Sequence, residues 1–545
     1  MYKPTLFFLL GLLPLLLLIQ AQLVLADDVD PRELGRRMFL EGVLPSGKSM
    51  TAYIQGDVKV TGEQVRCGAC HRRSGMGSSE GQQVVPAVTG KLLYNPLQIP
   101  TSRPPAAPTL RPAYDDETLK AALLRGVDAN GAALDPNMPR YLLTEEELDV
   151  LLEYLKGLSS EPSPGVTETE VHFATIVSDR LPKAERKALL DVMRVFFQQK
   201  NTETRYESKR SANPPWHKKW IMGNYRKWRH HVWELKGDES TWPEQLAAHY
   251  RSQPVFAVIS GAVNGDWRPI HDYCEAEQLP CLFPTTDLPV DSDQDFYSLY
   301  FSRGVIQEGE GVARYLLNAE PERKKIVQLY NGTDRLSKSA AEAFAAQLEK
   351  AGVVITSINV DAKGGDVDAL SEKGRPGSVA VLWLSHEALQ PYQPWLEGKN
   401  GPEQIYLSTT LYRDRASSLP EGLKGKTRFV HPHELPSRMR RLLVRSTGWL
   451  RAKRIYASDQ QRIQANAFFA LKAAGDAMTH IRGYFFRDYF IERIEHMVDN
   501  APYTSVYPRI SLAPGQRFLS KGYYIARVAA GERGRLVPVM EWGAR

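Results

Sequence analysis

Cysteine is scarce: the 545-residue chain contains four, Cys67, Cys70, Cys274 and Cys281. That excludes a small disulfide-stapled scaffold, so the core must come from apolar burial. Long apolar runs are absent after residue 26, which excludes a multi-span membrane protein. Charge of one sign is lacking too, because 69 Lys and Arg face 63 Asp and Glu for a net +6, a balance that does not argue for nucleic acid. No serine elbow, Walker loop or dinucleotide fingerprint occurs in a strand-to-helix context, so nothing supports catalysis by side chains and the chain does not read as an enzyme. With 43% hydrophobic and 24% charged residues the composition is globular, and the length suggests roughly two to four folding units.

Residues 1–26 carry one Lys, a Leu/Phe-rich run from Leu6 to Ile19, and Val24-Leu25-Ala26 before the acidic Asp27 and Asp28. This is the pattern of a secretory signal peptide, with the mature chain starting at Asp27. The alternative is an uncleaved membrane anchor. Both readings place the remainder outside the cytoplasm, in an oxidising compartment such as the periplasm.

Cys67-Gly68-Ala69-Cys70-His71 is a C-x-x-C-H run, the attachment signature of a c-type haem. Two thiols one helical turn apart can join two vinyl groups of one porphyrin edge, and the next residue presents its imidazole to the iron. His71 is the only histidine of residues 27–158, so the sixth ligand is sought among Met38, Met50, Met76 and Met138. Met138 stands in the turn-rich stretch Gly126 to Tyr141, where Pro136 and Pro139 hold the chain extended around it. Met76 is the rival, but it follows His71 too closely to reach the opposite face with ease. Thr144-Glu145-Glu146-Glu147 predicts the start of a helix to about Leu158, with Leu148, Leu151, Leu152 and Leu155 on one stripe. Another short helix is predicted from Glu33 to Gly42, and residues 43–64 are expected as a surface loop or small hairpin.

On Gly35, Phe39, the Cys67–His71 run, Asn137-Met138-Pro139-Arg140-Tyr141 and Leu152-x-Tyr154-Leu155, this segment resembles the class I monohaem cytochrome c family. The resemblance implies an all-α domain over residues 27–158, wrapped around one covalent haem c with His71 and Met138 as axial ligands. A thioether ligand stabilises ferrous iron, which suits electron transfer.

A polar, proline-containing linker is expected over 159–169, followed by a larger domain over 170–545. Short apolar runs there alternate with amphipathic stretches: Val171–Val177, Val255–Ile259, Leu279–Pro284, Lys325–Tyr330, Val353–Ile358, Ser378–Leu384 and Gln404–Ser408. That alternation predicts parallel sheets. On Ala257 to Gly261, Glu277 to Thr286, Tyr300 to Arg303, Lys324 to Tyr330 and Asn466-Ala467-Phe468, the region resembles the type I periplasmic solute-binding family, which includes branched-chain amino-acid binding proteins. The resemblance implies two hinged α/β lobes closing on a small-molecule ligand, with Ser260, Gly261, Thr285, Thr286, Tyr330, Asn331 and Ser385 at strand ends facing the cleft. For each of these residues a plain turn role is the competing reading.

A basic, Trp-rich insertion is expected near 205–235. Between Arg205 and His231 lie eight Lys and Arg and the single acid Glu207, interleaved with Trp216, Trp220 and Trp228. In an exported protein this reads as a docking surface for an acidic redox partner or for anionic lipid headgroups, against a solvated face with its tryptophans packed inward. Export also favours a short-loop disulfide between Cys274 and Cys281. His431 and His433 are expected at the surface. Three functions fit these readings: an exported electron carrier with a ligand- or partner-recognition domain, a solute sensor whose haem reports redox state, or the relay subunit of a dehydrogenase.

Overall fold

The structure is a computed structural model and describes residues 30–80, 83–98, 109–206, 225–292, 294–319, 325–360, 378–413, 415–481, 483–500, 503–531 and 534–544. The expected leader and residues 207–224 of the basic stretch lie outside the described residues. The chain divides into two compact units at Glu161/Pro162.

In the first unit the helix Pro31–Glu41 starts on the Asp30 carboxylate, which accepts from Arg32 N, and stops at Gly42, whose φ of 70° is costly for other residues. The helix Glu145–Gly157 opens on a reciprocal Thr144–Glu147 capping box. These two helices cross at Gly35, where a Cβ would meet Tyr154 Cβ at 2.5 Å and Val150 O at 2.7 Å. Leu148, Leu151, Leu152 and Leu155 face inward and join Met38, Phe39, Met50, Cys67 and Tyr141 in one core.

The unit is not all-α. Thr51–Ile54 pairs antiparallel with Val58–Thr61 and with Arg140–Tyr141, giving a three-stranded sheet, and two small hairpins follow at Ser78–Glu80/Gln83–Val85 and Leu97–Gln98/Thr109–Arg111. The β-branched residues of the 51–61 stretch favour a pleated strand, and Gly56 with φ 100° supplies the turn. Half of the expectation for 43–64, a small hairpin, is therefore present, and the residues after Met138 complete its sheet.

The second unit holds two sheets. The first is fully parallel in the order Ser298–Leu299, Cys281–Leu282, Ala257–Ala262, Glu170–Ser178, Lys227–Leu235. The second runs Ile355–Asn359, Ile326–Tyr330, Val379–Trp383, Gln404–Ser408, Thr427–His431 in parallel, then adds Gly522–Val528 and Leu536–Ala544 antiparallel. Val379–Trp383 and Gln404–Ser408 are buried at every position, as expected of strands covered on both faces. Helices 444–452, 461–480 and 487–500 pack on the first sheet, so the described chain passes between the lobes at 300–304, 431–444 and 503–522.

One edge strand was not expected. Lys227–Leu235 runs beside Glu170–Ser178 over its whole length, and Trp228, 4% exposed, packs its ring 4.8 Å from Phe173 and 5.5 Å from Phe197. This end of the basic stretch is therefore sheet, with its tryptophan turned inward and Arg229 paired outward to Glu170. His431 and His433 are buried, not at the surface, because they lie on the second passage between lobes.

Cys274, on the helix Arg268–Ala276, is disulfide-bonded to Cys281 on the adjacent strand, with Cα atoms 6.2 Å apart. Closing so short a loop limits the unfolded chain, so the double variant Cys274→Ala/Cys281→Ala is expected to lose about 2 kcal/mol of stability to chemical denaturation. An unchanged denaturation midpoint would show that the bond constrains nothing.

Candidate functional site

The C-x-x-C-H run forms the short helix Cys67–His71. Both thiols are free, Cys67 buried and Cys70 exposed, so the two sulfurs stand one turn apart. The His71 ring is buried, and its Nδ1 lies 2.8 Å from the carbonyl oxygen of Pro86. A carbonyl only accepts, so Nδ1 carries the proton and Nε2 keeps its lone pair. Desolvation lowers the His71 pKa, against a smaller upward effect of the Pro86 bond, and favours the neutral ring. Burial pushes the Cys67 thiol up to about 11, partly opposed by Tyr141. Of the four methionines, Met38 and Met50 are fully enclosed in the core. Met138 is half-buried against the cluster that contains Cys67, and Met76 is half-buried with its amide donating to Ser74 Oγ.

In the second unit a cavity of about 570 Å³ opens between the lobes, at the carboxyl ends of the strands. Thr285, Thr286 and Asp287 line it from the first lobe, and Thr333 to Leu336 from the second. Arg335 reaches across: its guanidinium is 3.0 and 3.2 Å from the two carboxylate oxygens of Glu239 and 2.9 Å from Asp266. Deeper in, Arg462 pairs with Asp287 at 2.5 Å. The carboxylate raises the pKa of that guanidinium, although burial alone would lower it.

The expected cleft residues divide into two sets. Thr285 and Thr286 line the cavity, and Thr285 N donates to Gly261 O at 2.8 Å. Ser260 is 1% exposed at a bulge with φ 58°, its hydroxyl without a partner, an arrangement that strains the strand end beside the cavity. Tyr330, Asn331 and Ser385 do not line it. The Asn331 carboxamide accepts from Thr333 N and Oγ1, which shapes the turn that does line it, and Ser385 caps the helix His386–Leu389. The residues that sequence reasoning missed are Asp287, Arg335 and Arg462. Arg462 stands four positions before the noted Asn466, but nothing local marks a pairing with Asp287, 175 positions away.

The family model for cytochrome c matches residues 61–159. Residues 61–159 are a cytochrome c domain. The family implies covalent haem c, and the donor set of the cytochrome c domain fits it: two free thiols on one helical turn and an imidazole whose Nε2 lone pair is kept available by the Pro86 carbonyl. A search of curated proteins finds no match. Similar solved structures include a fatty acid ABC transporter substrate-binding protein from Thermomonospora curvata, 12% identical, with 71% of this chain and 95% of that chain covered at a TM-score of 0.46. A leucine-binding protein from Thermotoga maritima is 12% identical over 69% of this chain and 98% of that one, TM-score 0.45. A branched-chain amino acid ABC transporter from Thermus thermophilus with bound valine is 11% identical over 69% and 97%, TM-score 0.47. No helix among the described residues is long and apolar enough to cross a membrane.

Beyond the cytochrome c domain, His271, Glu275 and Asp295 bring ligand atoms within 4.8 Å of one another. Each already has a protein partner: His271 Nδ1 meets Tyr300 OH at 2.8 Å and Nε2 meets Asp295 at 3.2 Å, while Glu275 accepts from the amides of Phe296 and Tyr297. The group reads as a closed hydrogen-bond network tying the disulfide-bearing helix to the first passage between lobes.

Proposed function

We propose that this protein is an exported one-electron carrier, with one haem c held between His71 and Met138, whose second unit binds a small ligand between its lobes and directs electron delivery to redox partner proteins. The observation that carries the redox half is the His71 Nδ1 to Pro86 bond, because it fixes the tautomer that can bind iron. A haem c supplies one-electron exchange between ferric and ferrous iron. The chain attaches it through Cys67 and Cys70, orients His71 from behind, and buries that side of the site. Export is supported by the leader pattern of 1–26 and by the Cys274–Cys281 disulfide, which suits an oxidising compartment. For the second unit, a polar cavity between two lobes with an arginine pairing across it suits a small polar ligand and a closing motion. Docking of partner proteins through the basic stretch would use 207–224 together with the outward Arg229.

Redox titration of the purified holoprotein, alone and with amino acids, small carboxylates or amines added in turn, tests both halves. The expected result is one reversible one-electron wave that moves when the right compound is added, by about 60 mV for a tenfold difference in affinity between the two redox states. Absence of a reversible wave removes the carrier reading. A melting temperature and a potential both indifferent to every compound remove the ligand reading.

A further inference from the structure

The Met138 arm has little burial to hold it. Asn130 to Ala133 and Asp135 to Asn137 are exposed, and only Leu134 and Met138 are half-buried. Segments with so few apolar contacts open easily unless hydrogen bonds fix them. Some of those bonds are within the arm: Asp128 accepts from Asn130 N and Ala132 N, Asp135 accepts from Asn137 N, and Met138 N donates to Asp135 O at 2.9 Å. These shape the arm without anchoring it.

Gln55 ties the arm to the 51–61 hairpin, its amide donating to Pro136 O at 2.8 Å and its carboxamide NH2 to Asn137 Oδ1 at 3.1 Å. The anchor at Met138 itself is the next pair of residues. The guanidinium of Arg140 donates to the carbonyls of Met138, Leu134 at 3.3 Å and Asp135 at 3.4 Å, so one side chain gathers both limbs of the arm. Among the described residues no carboxylate pairs with Arg140, so its charge is spent on carbonyl dipoles. It lies where only glycine leaves room: a Cβ on Gly126 would stand 1.7 Å from Arg140 Nε, and Gly126 is already in the left-handed region at φ 65°. The backbone of Arg140 pairs with Tyr53 and that of Tyr141 with Ala52. Tyr141, 2% exposed, then donates to Val65 O at 2.8 Å and touches the Cys67 sulfur at 3.5 Å. An unbroken set of contacts therefore runs from the haem-attachment helix through Tyr141 and Arg140 to the carbonyl of Met138.

We propose that Arg140 and Tyr141 are positioning residues that hold the Met138 thioether in register with the haem-attachment helix. This rests on the reading of Met138 as sixth ligand, and the test separates the two. The probe is imidazole, titrated into ferric holoprotein while the far-red methionine-to-iron charge-transfer band is followed, with covalent haem content measured as pyridine haemochrome. Imidazole binds only when the arm is open, so its apparent affinity reports the open population. Arg140→Gln is expected to keep its haem and to bind imidazole about tenfold or more tightly than native, since it loses charge-assisted bonds to three carbonyls. Arg140→Lys restores the charge but not the planar fork and falls between. Tyr141→Phe loses one bond and shows a smaller gain. Met138→Ala lacks the far-red band altogether. If Met138→Ala keeps the band, the ligand reading fails. If Met138→Ala loses it while Arg140→Gln and Tyr141→Phe bind imidazole as native does, the clamp alone is wrong. Should Arg140→Gln fail to retain haem, Arg140→Lys and Tyr141→Phe carry the test by the same comparison.

Discussion

Ferrous holoprotein carrying Met138→Ala is expected to bind carbon monoxide, and the native protein is expected not to. On the proposed ligation the Met138 thioether would be the soft donor to ferrous iron, and alanine would leave that position to exogenous ligands. The midpoint potential should fall with it by on the order of 100 mV, within a range of about 0.8 V that axial ligands span in haem proteins. The cost in folding is small beside this effect, because Met138 is half-buried and its neighbours Pro136 and Asn137 are exposed. Attachment is untouched, since Cys67, Cys70 and His71 stand on a different element. Carbon monoxide binding to native and variant alike would exclude Met138. Binding to Met76→Ala but not to Met138→Ala would move the ligand to Met76.

The second large effect belongs to the other unit. Glu495 and Arg517 form an ion pair with side chains 4% and 5% exposed. Arg517 also donates to Phe296 O at 2.5 Å, and Glu495 accepts from Gly515 N at 3.3 Å, so the pair fastens the third passage between lobes to the first lobe. Glu495→Ala would leave a guanidinium in the interior without its countercharge, and a loss of about 3–5 kcal/mol is expected. Replacing both residues by methionine should cost much less than either single change, because no buried charge then remains unmatched. Guanidinium-induced unfolding followed by tryptophan fluorescence measures this, with haem absorbance reporting the cytochrome c domain in the same sample. A single variant within 1 kcal/mol of native would mean that the pair is hydrated or dispensable.

The parts of this molecule that were legible in the sequence are those written locally. Cys67 to His71 state their chemistry in five residues, and the Leu148–Leu155 stripe with its Thr144 cap states its helix. Gln404–Ser408, apolar and covered on both faces, falls where expected. What failed was written across distance. Lys227–Leu235 mixes charges with aromatics because it is an edge strand, polar outward and aromatic inward, and nothing local marks it as a strand until its neighbour Glu170–Ser178 is known. Arg140–Tyr141 is a strand only because Thr51–Ile54 lies beside it, which is also why an all-helical first unit was expected. Arg335 finds Glu239 across 96 positions of chain, a pairing that no periodicity announces.

The way the two lobes share the chain also bears on how the protein is made. Each lobe is assembled from separated stretches: the sheet of the first is covered by helices from 444–500, and the sheet of the second is completed by strands from 522–544. Emerging from its amino end, the chain offers a contiguous haem-binding unit by residue 161, more than 380 residues before the last strand of the second lobe can dock. Haem attachment can thus be finished while both lobes still lack their closing pieces, and a molecule cut short before residue 522 would carry its haem beside an unfinished second unit.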